Sequence, residues 1–387
     1  MSSETHRNVD AVATEITPIG ATWRDADSRA ITRRHVIRLL GAGTAGVAGL
    51  GLAWWPALAQ DATPEPSAAG TPVTSDTGGS LTIYSGRSET LVAPIIERFA
   101  EETGIATEVR YAGTSELTAT ILEEGVDSPA DLFLAQDAGA LGLLAAEGRF
   151  QTLSDDILDR VEERFRSLDG NWVGVSGRAR VLVYNTDELE EADLPASVLD
   201  LTGEEWRGRV GWAPENASFQ SFVTALRVLE GDDAARTWLE GMLANETVNF
   251  ADSNSAIVKA VGDGELPVGL VNHYYLFALK KEEGDDFPVA NHYFAAGDPG
   301  SLVNVAGVGI LESAANTEQA ERFVDFLLSE EAQTYFAEET SEYPLIAGVD
   351  TADDVRPLAD VGSPEIDLSD LADLQGTVEL LTEVGVL

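Results

Sequence analysis

Apolar residues along this chain fall into short alternating runs separated by stripes at helical spacing. Ser80-Leu-Thr-Ile-Tyr84 alternates and predicts a first strand, while Leu91, Ile95, Ile96 and Phe99 form a helical stripe over 90–103 that stops at Gly104. A second strand is expected over 106–111. Its helix, carrying Leu117, Ile121 and Leu122, opens at Gly113-Thr-Ser and closes at Gly125. Asp131-Leu-Phe-Leu134 predicts a third strand, followed by an Ala/Leu-rich helix ending at Gly148. Strand–helix alternation of this kind predicts a mostly parallel α/β sheet with right-handed crossovers. Ligands bind such sheets at loops beyond the carboxyl ends of strands, here residues 85–89 and 135–137.

Farther on, 172–176 and 179–184 read as two strands interrupted by Gly177-Arg178. Pro214-Glu-Asn-Ala-Ser218 caps a helix through Phe222, Leu226 and Leu229. A strand and turn over 250–254 precede a helix over 255–261. Leu266-Pro-Val-Gly-Leu-Val271 reads as a short buried strand, and a helix starts at about Tyr274 and stops at Gly284. A strand over 305–310 and one long helix over 317–337 complete the pattern, with no internal repeat.

The first 59 residues do not fit this pattern. Thr32-Arg33-Arg34-His35-Val36-Ile37-Arg38 is a twin-arginine sequence, followed by a Gly/Ala-rich apolar run over 39–55 and Ala57-Leu58-Ala59, an A-x-A cleavage site. The run is short and glycine-rich for a membrane anchor, so an export signal is expected over 1–59. The product is then free outside the cytoplasm, or held by an uncleaved signal helix. Residues 60–79, rich in Pro, Ser, Thr, Ala and Gly, read as a flexible tether. The chain from residue 80 onward is long for one compact domain and suits two lobes. The expected division is an amino-terminal lobe over 80–175, a carboxyl-terminal lobe over 176–300, a return segment over 301–350 and a tail over 351–387.

Composition narrows the chemistry. The chain has no cysteine, which excludes disulfides, iron–sulfur clusters and thiolate zinc sites. Of its four histidines, only His273 and His292 lie beyond the signal, so a metal site must rely mainly on oxygen. The net charge of −43 argues against nucleic-acid binding and suits a salty or extracellular setting. No nucleophile–base motif, dinucleotide fingerprint or phosphate-binding loop occurs.

Tyr274 and Tyr275 are the most informative residues. Two adjacent phenols stand where a strand hands over to a helix; phenolate oxygen is a hard ligand, and a helix N-terminus favours negative charge. Two readings of the pair stand on its own chemistry: a ferric-ion site, or two aromatics packed at a lobe surface.

Several motifs then point one way. Leu81-Thr-Ile-Tyr-Ser-Gly-Arg-Ser-Glu89, Ser128-Pro-Ala-Asp-Leu-Phe133, Gln136-Asp-Ala-Gly139, Trp172-Val-Gly-Val-Ser-Gly-Arg-Ala-Arg180, Val271-Asn-His-Tyr-Tyr275 and Val303-Asn-Val-Ala-Gly307 together resemble the bacterial ferric-iron-binding proteins. These are the extracytoplasmic components of ABC-type iron importers. The resemblance runs from about Leu81 to Leu345. It implies a two-lobe periplasmic-binding-protein fold (a Venus flytrap) with a ligand cleft between the lobes.

Carried over position by position, it implies that Tyr274 and Tyr275 bind iron and that Asn272 and Asn254 support the iron or a bound anion. Asn216 and Ser218 fall where relatives hold a synergistic anion or place a third tyrosine, and Arg87 where some direct an arginine at carbonate. The sequence also departs from the pattern. Ser88 replaces a histidine of some relatives, Gln136 an acidic ligand, and Ser218 the third tyrosine. Glu89 is therefore a candidate carboxylate ligand. Alternatively an anion such as carbonate, phosphate or citrate supplies the missing oxygens, or the cargo is no longer free ferric ion.

Two phenolates leave one charge of a ferric ion unmatched, and Arg87 with the helix start at Ser218 offers a place for an anion. Plainer roles are open as well: Asn216 and Ser218 as helix caps, Arg87 paired with Glu89 at the surface, Arg178 and Arg180 covering the interlobe strands, Tyr293 and Tyr343 as packing residues, and His273 beside the site without being a ligand. The expected function is capture of Fe(3+) with a synergistic anion by a monomeric, exported binding protein, periplasmic or extracellular, that hands its cargo to an ABC-transporter permease. The alternatives are a binding protein for a ferric chelate, an organic anion or a polyamine, and an exported hydrolase.

Overall fold

A computed structural model describes residues 79–387. The export signal and nearly all of the tether lie outside the described residues. Nine strands make one connected sheet: β1 (Ser80–Ser85), β2 (Ala106–Tyr111), β3 (Leu132–Ala135), β4 (Val173–Asn185), β5 (Val210–Trp212), β6 (Val248–Asn249), β7 (Val268–Asn272), β8 (Val289–His292) and β9 (Val303–Ile310). Their order is β2-β1-β3-β9-β4-β7-β5-β6, with β8 also paired to β4.

Strand β4 carries the architecture. Its 13 residues are buried almost throughout. Val173 to Ala179 pair with β9, whereas Arg180 to Tyr184 pair with β7, so one strand belongs to both halves of the sheet. The half around β1, β2, β3 and β9 is covered by helices over Glu89–Thr103, Thr114–Glu124 and Ala138–Ala146, and by Thr317–Leu327 and Glu330–Glu338. Its core contains Ile83, Phe99, Phe133, Val305, Phe323 and Phe336. The half around β5 and β7 has its own aromatic core, in which Trp212 meets Phe219 and Phe222 meets Trp238 edge-on, each at 5.5 Å. Edge-on aromatic pairs add roughly 0.5–1.5 kcal/mol beyond the area they bury.

Three expectations are corrected. The sheet is mixed rather than mostly parallel. The β1–β2, β1–β3, β5–β6 and β5–β7 pairs are parallel, but β4 and β9, which carry the chain across and back, pair antiparallel with each other and with β7, β8 and β3. Gly177-Arg178 does not interrupt a strand. Gly177 stays extended and exchanges both backbone hydrogen bonds with Tyr343 at 2.8 Å, so here the glycine marks close approach of a second backbone rather than a break. The helix over 317–337 is two helices. Ser329 caps the second by accepting from Ala332 N–H at 3.2 Å, and Gln333 Nε2 donates to the Leu327 carbonyl of the first at 2.8 Å.

Near the tyrosines, the strand expected with the turn over 250–254 lies earlier, at Val248–Asn249; the turn follows it, and Ser253 caps a helix that already begins at Asn254. That helix lies against β7. A Cβ on Gly269 would come 2.1 Å from Ile257 Cγ2, so the strand and helix approach more closely than any side chain at 269 permits. Gly269→Val is therefore expected to lower the urea midpoint, at a cost of about 1–3 kcal/mol. Equilibrium denaturation of the two proteins checks this; an unchanged midpoint would show that the helix can slide without loss.

Candidate functional site

Strand β7 ends at Asn272, and the chain turns through His273 directly into the helix Tyr274–Glu283. Successive residues on a helix do not normally face each other. At this first turn the two phenol rings stack nonetheless, with centroids 4.4 Å apart and planes 29° from parallel. Tyr274 is buried and Tyr275 partly so. Burial raises the Tyr275 pKa strongly, and the neighbouring Tyr274 hydroxyl raises it further, so Tyr275 is a neutral phenol near pH 7. A cation that takes it as phenolate must displace its proton.

His273 fixes the entry to this turn. It is fully buried, its Nδ1 accepts from Ala179 N–H at 3.1 Å, and its Nε2 lies 2.8 Å from the Ser341 carbonyl. An acceptor at Nδ1 and a donor at Nε2 specify the neutral Nε2–H tautomer. The ring also stacks on Tyr343 at 4.4 Å and meets Tyr274 edge-on at 5.9 Å. Tyr343 Oη in turn hydrogen-bonds Tyr293 Oη at 3.2 Å.

Three arginines surround the pair. Arg87, 2% exposed, donates from both terminal nitrogens to Glu342 at 2.8 and 2.7 Å. Ser176 Oγ and Thr340 Oγ1 also donate to that carboxylate. Burial alone would lower the Arg87 pKa, but Glu342 outweighs it; burial alone would raise Glu342, but Arg87 holds it below the usual carboxylate range. Removing one partner of such a pair typically costs about 3–5 kcal/mol, because the other charge is left buried and alone.

Arg180 donates to the Leu270 carbonyl at 3.1 Å and Asn272 Oδ1 at 3.4 Å, over the Phe219 and Phe222 rings. Burial brings its pKa down to about 10, so it remains charged. Arg178 is 1% exposed, and none of its three guanidinium nitrogens has an acceptor among the described residues. Burial lowers its pKa, and the Arg87 charge adds to this, while the carboxylates of Glu342 and Asp137 pull the other way. Asp137 caps the helix Ala138–Ala146 through Oδ1; its Oδ2 has no donor, and burial raises its pKa against the pull of Arg178.

The remaining candidates divide. Asn254 and Asn272 lie in the same buried region. The Asn254 amide faces Tyr275 without a well-aligned bond, and Asn272 Nδ2 lacks an acceptor. Arg87 pairs with neither Glu89 nor solvent: Glu342 occupies both of its terminal nitrogens, leaving only Nε without a partner. Glu89 is exposed at the start of the helix Glu89–Thr103, where its charge acts on Tyr111. Ser88 is exposed and bonded to Thr90, and Gln136 is partly buried with its N–H on Thr114.

Asn216 is the helix cap, accepting from Ser218 N–H at 3.0 Å. Its carbonyl takes the N–H groups of Phe219 and Gln220, so most of the backbone donors expected to hold an anion there are already engaged. Ser218 is buried in the first turn of that helix. The side chains that sequence reasoning missed as site residues are Arg178, Asp137 and Glu342. One signal was available for Arg178: with Arg180 it forms an i, i+2 arginine pair inside an otherwise apolar run, which puts two cations on one face of a buried strand.

Among the described residues no three His, Cys, Asp or Glu side chains come together as a metal cluster. Two open clefts, of about 830 Å³ beside residues 159–165 and about 760 Å³ beside Phe277 and Arg356, are lined by neither tyrosine. The orphaned donors outweigh cleft size here, because buried unpaired polar groups are costly and point to a ligand.

Residues 127–362 match the profile of the bacterial extracellular solute-binding proteins. The Fe(3+)-binding periplasmic protein of Serratia marcescens is 35% identical over 309 residues, which cover 79% of this chain and 90% of that protein. Iron-bound HitA from Pseudomonas aeruginosa superimposes with a TM-score of 0.75 at 35% identity, covering 79% of this chain and 99% of HitA. The Trichodesmium protein IdiA (FutA), solved with iron and citrate, gives a TM-score of 0.70 at 29% identity, covering 79% and 99%. This chain therefore belongs to the bacterial extracellular solute-binding proteins, with the ferric-iron-binding proteins, a family of binding proteins rather than enzymes. Its mixed sheet with flanking helices is their two-lobe fold.

The buried imidazole gives a pH test. Burial depresses the His273 pKa to about 4, partly offset by its bonds to Ser341 and Ala179. As pH falls the unfolded chain takes up this proton first, at about 6.5, so the contribution of His273 is complete above that pH. It is lost between about 6.5 and 4, at up to about 1.4 kcal/mol per pH unit. Urea midpoints at pH 7.5 and 5 should show the drop, and His273→Gln should flatten it. A long-range nitrogen–proton spectrum at pH 5 that finds His273 protonated in the native protein would contradict the assignment.

Proposed function

We propose that this protein captures ferric iron outside the cytoplasm, bound by the phenolates of Tyr274 and Tyr275 together with an anion held against Arg178, for delivery to an ABC-type permease. One observation carries the reading: the stacked tyrosines lie beside a fully buried guanidinium with no acceptor among the described residues. Charge explains why an anion belongs there. Arg87 is balanced by Glu342, whereas Arg178 and Arg180 bring two positive charges out of water with only the buried Asp137 carboxyl acting on Arg178 besides. A trivalent ion with two phenolates adds one more, so a multiply charged oxyanion stabilises the assembly where water alone would not.

Arg178 thus takes the part first expected of Arg87. The planar fork suits carbonate, phosphate or a carboxylate of citrate. Asn254 and Asn272 offer further polar atoms, and Ser218 a hydroxyl. The same buried cations disfavour a polyamine, which would meet like charge. A ferric chelate entering whole is a second reading, favoured by the same arginines and by the citrate bound with iron in the Trichodesmium relative. In either case the cargo is the ferric ion, and binding releases at least the Tyr275 proton.

The test is titration of metal-free protein with ferric nitrilotriacetate, in the presence and absence of bicarbonate, phosphate or citrate. A visible phenolate-to-iron band is expected that requires an anion, with proton release measured by pH-stat. Tyr274→Phe/Tyr275→Phe should abolish it. Arg178→Gln should weaken loading by about 10–100-fold and blunt the anion dependence, the loss of charge-assisted bonds being worth roughly 1.5–3 kcal/mol. Glu89→Gln should leave the band intact. No band with any anion would overturn the iron reading; an anion-independent band lost in Glu89→Gln would restore the carboxylate as ligand.

A further inference from the structure

The tail after residue 351 joins both cores. Leu368 and Leu371, in the short helical turn Leu368–Ala372, belong to the larger core, which fills the β1–β3–β9 half and reaches Ile257 and Val271 of the other. Leu380, Leu381 and Val386, in and just beyond the helix Leu374–Val384, belong to the aromatic core of the β5–β7 half. Only Asp373 separates the two.

Each attachment is specific. On the first side the tail lies on the helix Ala138–Ala146, where a Cβ on Gly139 would come 2.6 Å from the Leu371 carbonyl and one on Gly142 3.1 Å from that of Ser369. On the other side it is held by the helix Ala217–Glu230. Thr224 Oγ1 and Thr377 Oγ1 are 2.7 Å apart and buried, while Arg227 donates to Thr377 Oγ1 at 2.9 Å and to Asp373 Oδ2 at 2.9 Å. These two helices are the ones that Asp137 and Asn216 cap beside the candidate site.

We propose that residues 367–387 are a strap: a tie between the halves, beyond the crossings at β4 and β9 and the segment from Ile346 to Gly362, that sets how far and how often the cleft opens. A hinge of two long strands resists stretching but permits bending. A strap docked on the helices that Asp137 and Asn216 cap, with one residue of slack, opposes the separation that bending would produce. It thereby shifts the population toward the arrangement in which Tyr274, Tyr275 and Arg178 are buried together.

The experiment lengthens the tie while keeping both docking sites. Six Gly/Ser residues are inserted between Ala372 and Asp373, and the same six between Asp285 and Asp286, an exposed turn within one half, as a control. The chain has no cysteine, so Val126→Cys and Leu243→Cys, both at exposed positions, take spin labels uniquely. Double electron–electron resonance without any ligand should show the long-distance population at least about doubling in the lengthened strap and unchanged in the control. Identical distributions in the lengthened and unmodified proteins, with both folded by circular dichroism, would overturn the strap. So would an equal shift in the control. Because the readout needs no iron, this result is independent of the ferric assignment.

Discussion

Arg178 and Arg180 hold two positive charges away from water, and much of the structure around them answers to that constraint. They sit on one face of β4, the strand that both halves of the sheet share. Arg180 is partly reconciled by a backbone carbonyl, Asn272 and two aromatic faces, whereas Arg178 has no acceptor among the described residues. Desolvating an unpaired charge is expensive, so such a group survives where something else completes it. In the proposed site, two phenols that ionise on taking up a cation, and an anion that accompanies the cation, would complete it. The Arg87–Glu342 pair adds no net charge. It ties the first sheet loop to β4 and to the return segment, so the walls around Arg178 stay in register.

Rigidity is concentrated where the site needs it. His273 is bonded on both ring nitrogens and stacked on Tyr343, which leaves the first turn of the tyrosine helix little freedom. The same arrangement makes that turn sensitive to acid, because the neutral imidazole is the form that fits. By contrast, the two halves join through few segments, and the tail docks on both. The phenols are thus held at a fixed turn, while the halves are joined by β4, β9 and the tail.

Legibility in the sequence tracked the range of the interactions. Strands β1 to β3 and β9, and the helices that come after β1 and β2, were readable because alternation and helical stripes are local. So were the tyrosine pair and its helix start, since Gly284 and the apolar run before Asn272 bracket them. Asn216 was legible as a cap for the same reason, and its cap role is what occupies the donors once expected to hold an anion. The continuity of β4 was not legible, because Gly177 is justified by Tyr343 and Leu345, far along the chain.

What the sequence by itself determined is the chemistry on offer: no thiolate, almost no imidazole, two adjacent phenols at a helix start and a chain pattern shared with a family of binding proteins. These depend on residue identity and short spacings. Only the tertiary structure decided which arginine is free to act. Arg87 looked available until Glu342, distant in sequence, proved to hold it, and Arg178 looked like cover for a strand until its burial without an acceptor became visible. Charge pairing depends on distances between segments remote in the chain, and periodicity carries no information about those.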